Sequence, residues 1–156
     1  MRLDHMPRLG LLLGLLILSS TSVYALSVDD YVQSAERYIQ SGELKKAIIE
    51  AKNALQKEPE NGDVRLLLGR VYLRMGQDAA AEKELRHARK AGVARERVLI
   101  PLGQAYLGQG NTGAVLEQIQ PEADDPAALR AEILTLRGRA YMATGKLIKV
   151  VLLFFP

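Results

Sequence analysis

A spacing constrains this chain more than any other feature. Tyr38, Tyr72, Tyr106 and Tyr141 recur at intervals of 34, 34 and 35 residues, and Gly42, Gly76, Gly110 and Gly145 each follow a tyrosine by four. Three residues ahead of the later tyrosines stand Gly69, Gly103 and Gly138, with Ala35 at that place in the first unit. Self-similarity at a fixed period of this length marks an array of stacked supersecondary units rather than a fold with one central core. The middle stretch, Leu66 to Leu85, carries the full pattern, and the rest of the chain repeats parts of it.

The period predicts a helical hairpin: a helix of about 14 residues, a tight turn on the second glycine and an antiparallel helix. At the turn the helix must stop and the backbone needs positive φ, which glycine adopts without steric cost. Gly69, Gly103 and Gly138 fall inside the first helix, where glycine costs about 1 kcal/mol against alanine. Such a cost in three units implies close approach of the paired helix. Ala47, Ala54, Ala81 and Ala88, on the second helices, are the small residues expected to meet that contact.

At these residues the chain resembles the tetratricopeptide repeat (TPR) family over about residues 28–146. A first repeat, about 28–61, carries Tyr38, Gly42, Ala47, Ala54 and Pro59 in the family's spacing. The second, 62–95, carries Leu68, Gly69, Tyr72, Gly76, Ala81 and Ala88, with Val93 where the family often has proline. The third, 96–130, keeps Leu102, Gly103, Tyr106 and Gly110 but has Val115 and Glu122 in place of small residues, so its second helix departs from the pattern. The fourth, 131–146, keeps Gly138, Tyr141 and Gly145 and is incomplete. The resemblance implies an all-α, right-handed superhelical solenoid of antiparallel helix pairs over residues 26–146, after an N-terminal signal peptide.

Residues 1–25 read as that signal peptide: Arg2 and Arg8, an apolar run from Leu9 to Leu18, then Val23-Tyr24-Ala25 with small residues where a signal peptidase cuts. The run is short for a membrane span of about 20 residues. Extended through Leu26, it would give the alternative of an uncleaved inner-membrane anchor. With no cysteine in the chain, lipid attachment, disulfides and thiolate metal sites are excluded. The expected location is the periplasm, with membrane contact only through an uncleaved signal segment. Without Arg2, Arg8 and Asp4 the remaining chain has 19 basic and 17 acidic side chains, too balanced to argue for nucleic acid. There is no Trp and only 2 Phe, which removes a stacking platform for single strands.

Little in the chain suggests chemistry. His87 is the only histidine after the leader, and a solvent-exposed position beside Arg86 and Arg89 is the simplest reading. One histidine cannot build a metal site or a triad. Glu82, Lys83, Glu84, Arg86 and Lys90 have helical spacing and read as a solvated face with weak ion pairs. Neither a phosphate loop nor a nucleophile elbow is present. No catalytic residue, cofactor or metal is expected, and the chain reads as a non-enzyme. Ser27 and Asp30 form a capping-box pattern opening the first helix. Asp125 is the expected N-cap before Pro126 at a first helical position, and Pro101 is expected early in its helix, where its missing N–H is tolerated best.

What remains is a surface. In the resembled family the first helices line a concave groove that holds a protein or peptide partner. Carried onto this chain, the groove residues are Ile39, Leu73, Leu107 and Met142 as an apolar floor, with Glu36, Arg70, Gln104 and Arg139 on the same side and Arg74 at the edge. The same apolar set could instead pack on neighbouring repeats, and helical spacing does not separate the two. The leader followed by SGELKKAIIEAKNALQKEPENGDVRLLLGRVYLRMGQDAAAEKEL is similar to the N-terminal part of the exported TPR protein of the bacterial exosortase (PEP-CTERM) system. That resemblance implies an envelope scaffold linked to protein sorting and to the exopolysaccharide machinery. An alternative is a carbohydrate-binding protein contacting an acidic exopolysaccharide through Arg70, Arg74 and Arg139. The tail, residues 147–156, has six consecutive apolar residues from Val150 to Phe155 and no polar capping face; it is expected to be aggregation-prone and to mark a fragment of a longer array.

Overall fold

The computed structural model describes residues 26–145; the expectations for the leader and for the apolar tail fall outside the described residues. Every regular element there is helical: α1 (Val28–Gln40), α2 (Leu44–Lys57), α3 (Gly62–Arg74), α4 (Asp78–Lys90), α5 (Arg95–Gly108), α6 (Thr112–Gln118) and α7 (Ala127–Ala143). Helix α1 pairs with α2, α3 with α4, and α5 with the shorter α6, while α2 packs on α3 and α4 on α5. The described residues therefore form an all-helical solenoid of antiparallel pairs.

The helices begin and end where local chemistry demands. Ser27 Oγ accepts from the Asp30 amide at 3.1 Å while Asp30 accepts from the Ser27 amide at 2.8 Å, which is the capping box read from the sequence. That backbone hydrogen bond from Ser27 holds the Asp30 carboxyl below its ordinary range. Asn61 caps α3 and Asn111 caps α6. At the hairpin turns Gly42, Gly76, Gly110 and Gly145 all have positive φ, 68 to 79°, so the sequence period is the period of the left-handed turn residue.

The buried set runs along the stack from Ala51 through Leu68, Leu85, Leu102 and Ile119 to Ala140, with each repeat covering its neighbour. Gly69 does mark a close approach, as expected, but the nearest partner is different. A Cβ there would lie 2.7 Å from Leu85 Cγ and 3.5 Å from the Ala81 carbonyl oxygen, so Ala81 does meet the contact through its backbone, but the side chain of Leu85 comes closest. At Gly103 the neighbour is Leu136 Cδ1 of α7, again 2.7 Å from an added Cβ, with Ile119 at 3.3 Å. Tyr72 and Tyr106 are buried packing residues.

Three other expectations need correction. Glu84 is not on a solvated face: Ala81, Glu84, Leu85 and Ala88 form the buried stripe of α4, at the spacing i, i+3, i+4, i+7. Glu84 Oε2 meets Arg65 Nη1 at 2.7 Å, and Arg65 also donates to the Pro59 carbonyl from Nη2 at 2.8 Å, tying α3, α4 and the preceding loop together. Asp125 does not cap α7, because Pro126 itself is the N-cap. The buried Asp125 carboxylate instead pairs with Arg95 and accepts from the Glu122 amide at 2.7 Å. Pro101 is the seventh residue of α5, not an early one, because the helix already starts at Arg95.

The departure of the third repeat is visible as a second helix of only 7 residues. It buries Val115, and Ile119 just beyond it closes over Gly103. Arg137 of α7 satisfies two carbonyls at its end, Leu116 O at 2.7 Å and Ile119 O at 3.2 Å. Gln118 accepts from the Tyr106 hydroxyl at 2.9 Å. Burial, with the negative charge of Glu82 nearby, raises the Tyr106 phenol above its ordinary value.

Candidate binding groove

The first helices leave two concavities. One, of about 380 Å³, lies between α1 and α3 and reaches α5; the other, of about 250 Å³, lies between α5 and α7. In the first, Val28 and Val32 of α1 and Leu67 of α3 form the apolar surface, with Glu36, Asp63, Arg70 and Arg97 around it. In the second, Ile100 and Leu136 are the apolar part, and Gln104, Glu132, Thr135 and Arg139 supply the polar rim.

A polar strip joins α3 to α5 and has its origin in Pro101. A proline at that place cannot donate to the carbonyl four residues earlier, which belongs to Arg97. Arg70 Nη2 reaches that carbonyl from α3 at 3.4 Å. Arg97 in turn extends its guanidinium back to Asp63, Nη1 to Oδ1 at 2.7 Å, with both side chains about half exposed or more. Two arginines thus cross in opposite directions between neighbouring repeats, and their outer faces remain open to the groove.

The residues singled out from the sequence divide into groups. Glu36 and Arg70 share the first concavity, and Gln104 and Arg139 share the second. Arg74 lies apart from both, its Nη1 donating to the Ile39 carbonyl at 3.3 Å near the end of α1. Ile39 is half-buried; Leu73 and Leu107 are half-buried and packed on the core; Met142 is 54 % exposed. None of these four lines either concavity.

The apolar lining comes instead from one turn toward the N-terminus: Val32 is four residues before Glu36, Leu67 three before Arg70, and Ile100 four before Gln104. Side chains on a helix tilt toward its N-terminus, so the surface beside a given polar residue is completed by i−3 and i−4 as much as by i+3. That rule was available in the sequence. Arg97 and Asp63, which the sequence reading missed, carried no comparable signal, because their meeting depends on how α5 is placed against α3.

Residues 38–99 match the family model of the tetratricopeptide repeat. The match runs from the end of α1 into the first residues of α5, and it supports the tetratricopeptide-repeat family for this chain. No curated protein matches it. Tetratricopeptide repeats act in general as scaffolds for protein–protein interaction and not as enzymes. Among the described residues no cluster of three or more His, Asp or Glu is arranged to hold a metal ion, and no helix is long and apolar enough to cross a membrane.

Proposed function

We propose that the chain is an exported scaffold that holds an extended segment of a partner protein along α1, α3, α5 and α7. One observation carries this reading: the alternation of charge and apolar surface in the concavity between α1 and α3. Glu36, Asp63, Arg70 and Arg97 surround Val28, Val32 and Leu67 there. An extended peptide offers backbone donors and acceptors along its length, and both signs of charge beside an apolar strip suit it better than they suit a uniformly charged ligand. The leader-like residues 1–25 support export to the periplasm, and the resemblance noted above supports a role beside exosortase-type sorting and the exopolysaccharide machinery.

The alternative, an acidic exopolysaccharide held by Arg70, Arg74 and Arg139, has less behind it. Arg70 and Arg139 belong to different concavities and Arg74 lies in neither, so the three do not converge on one site. The test is a photo-crosslinking residue at Leu67 compared with one at Ile49, which is 56 % exposed and outside both concavities. The reading expects a discrete envelope polypeptide trapped from Leu67, and its loss in Arg70→Glu with Arg139→Glu at unchanged helix content. Trapping equally from Ile49, or trapping that survives the double substitution, would refute it. Binding that collapses as salt rises would favour the polysaccharide instead.

A further inference from the structure

The outer face of α4 carries a concentration of cations that the groove does not use. Lys83, Arg86, His87, Arg89 and Lys90 line a shallow hollow of about 510 Å³, and all five are exposed. Lys83, Arg86, His87 and Lys90 follow one another at i, i+3, i+4 and i+7, so they share one side of the helix over about 10 Å. The opposite side is the buried stripe of Ala81, Glu84, Leu85 and Ala88, which fixes the orientation of the cations toward solvent. Arg86 meets Glu82 at 3.3 Å, whereas Lys83, Arg89 and Lys90 form no ion pair among the described residues. The helix dipole accounts for basic side chains in the last turn, which includes His87, Arg89 and Lys90, but not for Lys83 and Arg86 before it.

We propose that this face docks on a bilayer surface that contains anionic lipid headgroups. Its composition selects that occupant. A protein interface draws its energy from buried aromatic or large apolar groups and is depleted in lysine, and the exposed side of α4 has only Ala79 among its charges. Single-stranded nucleic acid draws on large aromatic side chains to stack on, and no Phe, Tyr or Trp lines this hollow. A formal net charge of +3 over the whole chain gives no broad field for a duplex. Anionic headgroups need neither stacking nor shape, because they move laterally and gather under a small cationic patch, each Lys or Arg adding about fivefold to the affinity. Nothing on this face would insert into the acyl region, so the contact is superficial, reversible and sensitive to salt.

The test uses the full chain and two vesicle types, phosphatidylcholine alone and phosphatidylcholine with phosphatidylglycerol. Residues 1–25 bind both types through their apolar run and add to the anionic excess through Arg2 and Arg8, but they are common to every variant, so the quantity read is the change in that excess on substitution. Lys83→Glu with Lys90→Glu is expected to lower that excess about 25-fold or more, and raising salt to about 0.5 M should remove it. Arg70→Glu with Arg139→Glu makes the same change in net charge within the groove and is expected to keep the excess. Lys83→Gln with Lys90→Gln provides a milder pair should the charge reversals disturb the helix. An excess that is absent, or that is unchanged by both α4 pairs, would overturn the proposal. So would soluble poly-aspartate that binds through Lys83 and Lys90 while the anionic vesicles do not, since that result would assign the face to an acidic polypeptide.

Discussion

Gly69→Ala tests the contact on which the second repeat is built, because helix propensity and packing push in opposite directions there. In a helix interior Ala is favoured over Gly by about 1 kcal/mol. Against that, the new Cβ would lie 2.7 Å from Leu85 Cγ and 2.9 Å from Cδ2, and Leu85 is fully buried. Overpacking of this kind costs about 1–3 kcal/mol, so the net effect is a destabilisation of about 1 kcal/mol. Leu85→Ala alone should cost about 2–5 kcal/mol through its cavity. In that background the clash is gone and the propensity gain remains, so Gly69→Ala should now stabilise by about 1 kcal/mol. The sign reversal corresponds to a coupling of about 2 kcal/mol between the two sites. Urea unfolding of the four proteins, read as midpoint shifts at constant slope, measures it. Equal effects of Gly69→Ala in both backgrounds would show that the glycine is not there for Leu85.

Gly108→Ala looks similar on paper but should be neutral or stabilising by up to about 1 kcal/mol, because the atoms its Cβ would meet belong to the half-exposed Asp78 carboxylate, which can swing aside; a lowered melting temperature would contradict this. Pro101→Ala should stabilise α5 by about 1–3 kcal/mol by restoring the amide donor to Arg97, and Arg70→Ala should then cost less than it does beside the proline, as a double-mutant cycle in thermal unfolding would report. Glu84→Ala should cost about 1–3 kcal/mol, since it strands a mostly buried Arg65, and Glu84→Gln should cost less by keeping an acceptor; chemical denaturation separates the two. The raised Tyr106 phenol favours the folded state's proton, so its contribution is intact below the ordinary tyrosine range and is lost as pH rises through and above it. Melting temperatures taken across alkaline pH should therefore fall more steeply in the wild type than in Tyr106→Phe.

The fold was legible because its determinants are periodic and local. The turn glycines announce positive φ at a fixed interval, and the Ser27–Asp30 capping box is contained within four residues. Glu84 was misread because charge was given more weight than position: it occupies a place in the i, i+3, i+4, i+7 stripe, and its partner Arg65 lies 19 residues earlier in the chain. Of the residues expected along a groove, Glu36 and Arg70 share one concavity and Gln104 and Arg139 another, whereas Ile39, Leu73 and Leu107 lie about two turns C-terminal to the apolar residues Val32, Leu67 and Ile100 that line them. The crossing of Arg70 and Arg97 depends on the placement of α5 against α3, which no local pattern encodes. Asp125 shows the same limit, because a carboxylate ahead of a helix reads as a cap until Arg95, 30 residues away, claims it.

The abbreviated α6 has a consequence for how the stack opens. In a linear array each unit is held by its own hairpin and by the neighbours on either side, so cooperativity passes along it one interface at a time. Helix α6 offers seven residues where α2 offers 14, and at its end Arg137 reaches from the next unit to the carbonyls of Leu116 and Ile119, the first of which also accepts from Gln120. That arrangement makes α6 and α7 mutually dependent: loss of α7 takes Arg137 from the carbonyls of Leu116 and Ile119, and loss of α6 takes Ile119 from over Gly103. The two should exchange their amide hydrogens as one unit, at a lower free energy than α3 and α4, which bury Leu68, Val71 and Leu85 between full-length partners. A partner lying across all four first helices would then do more than fill a groove. By bridging α3 and α5 to α7 it would raise the protection of the weakest pair most, and part of its binding energy would be drawn down in tightening that end of the array.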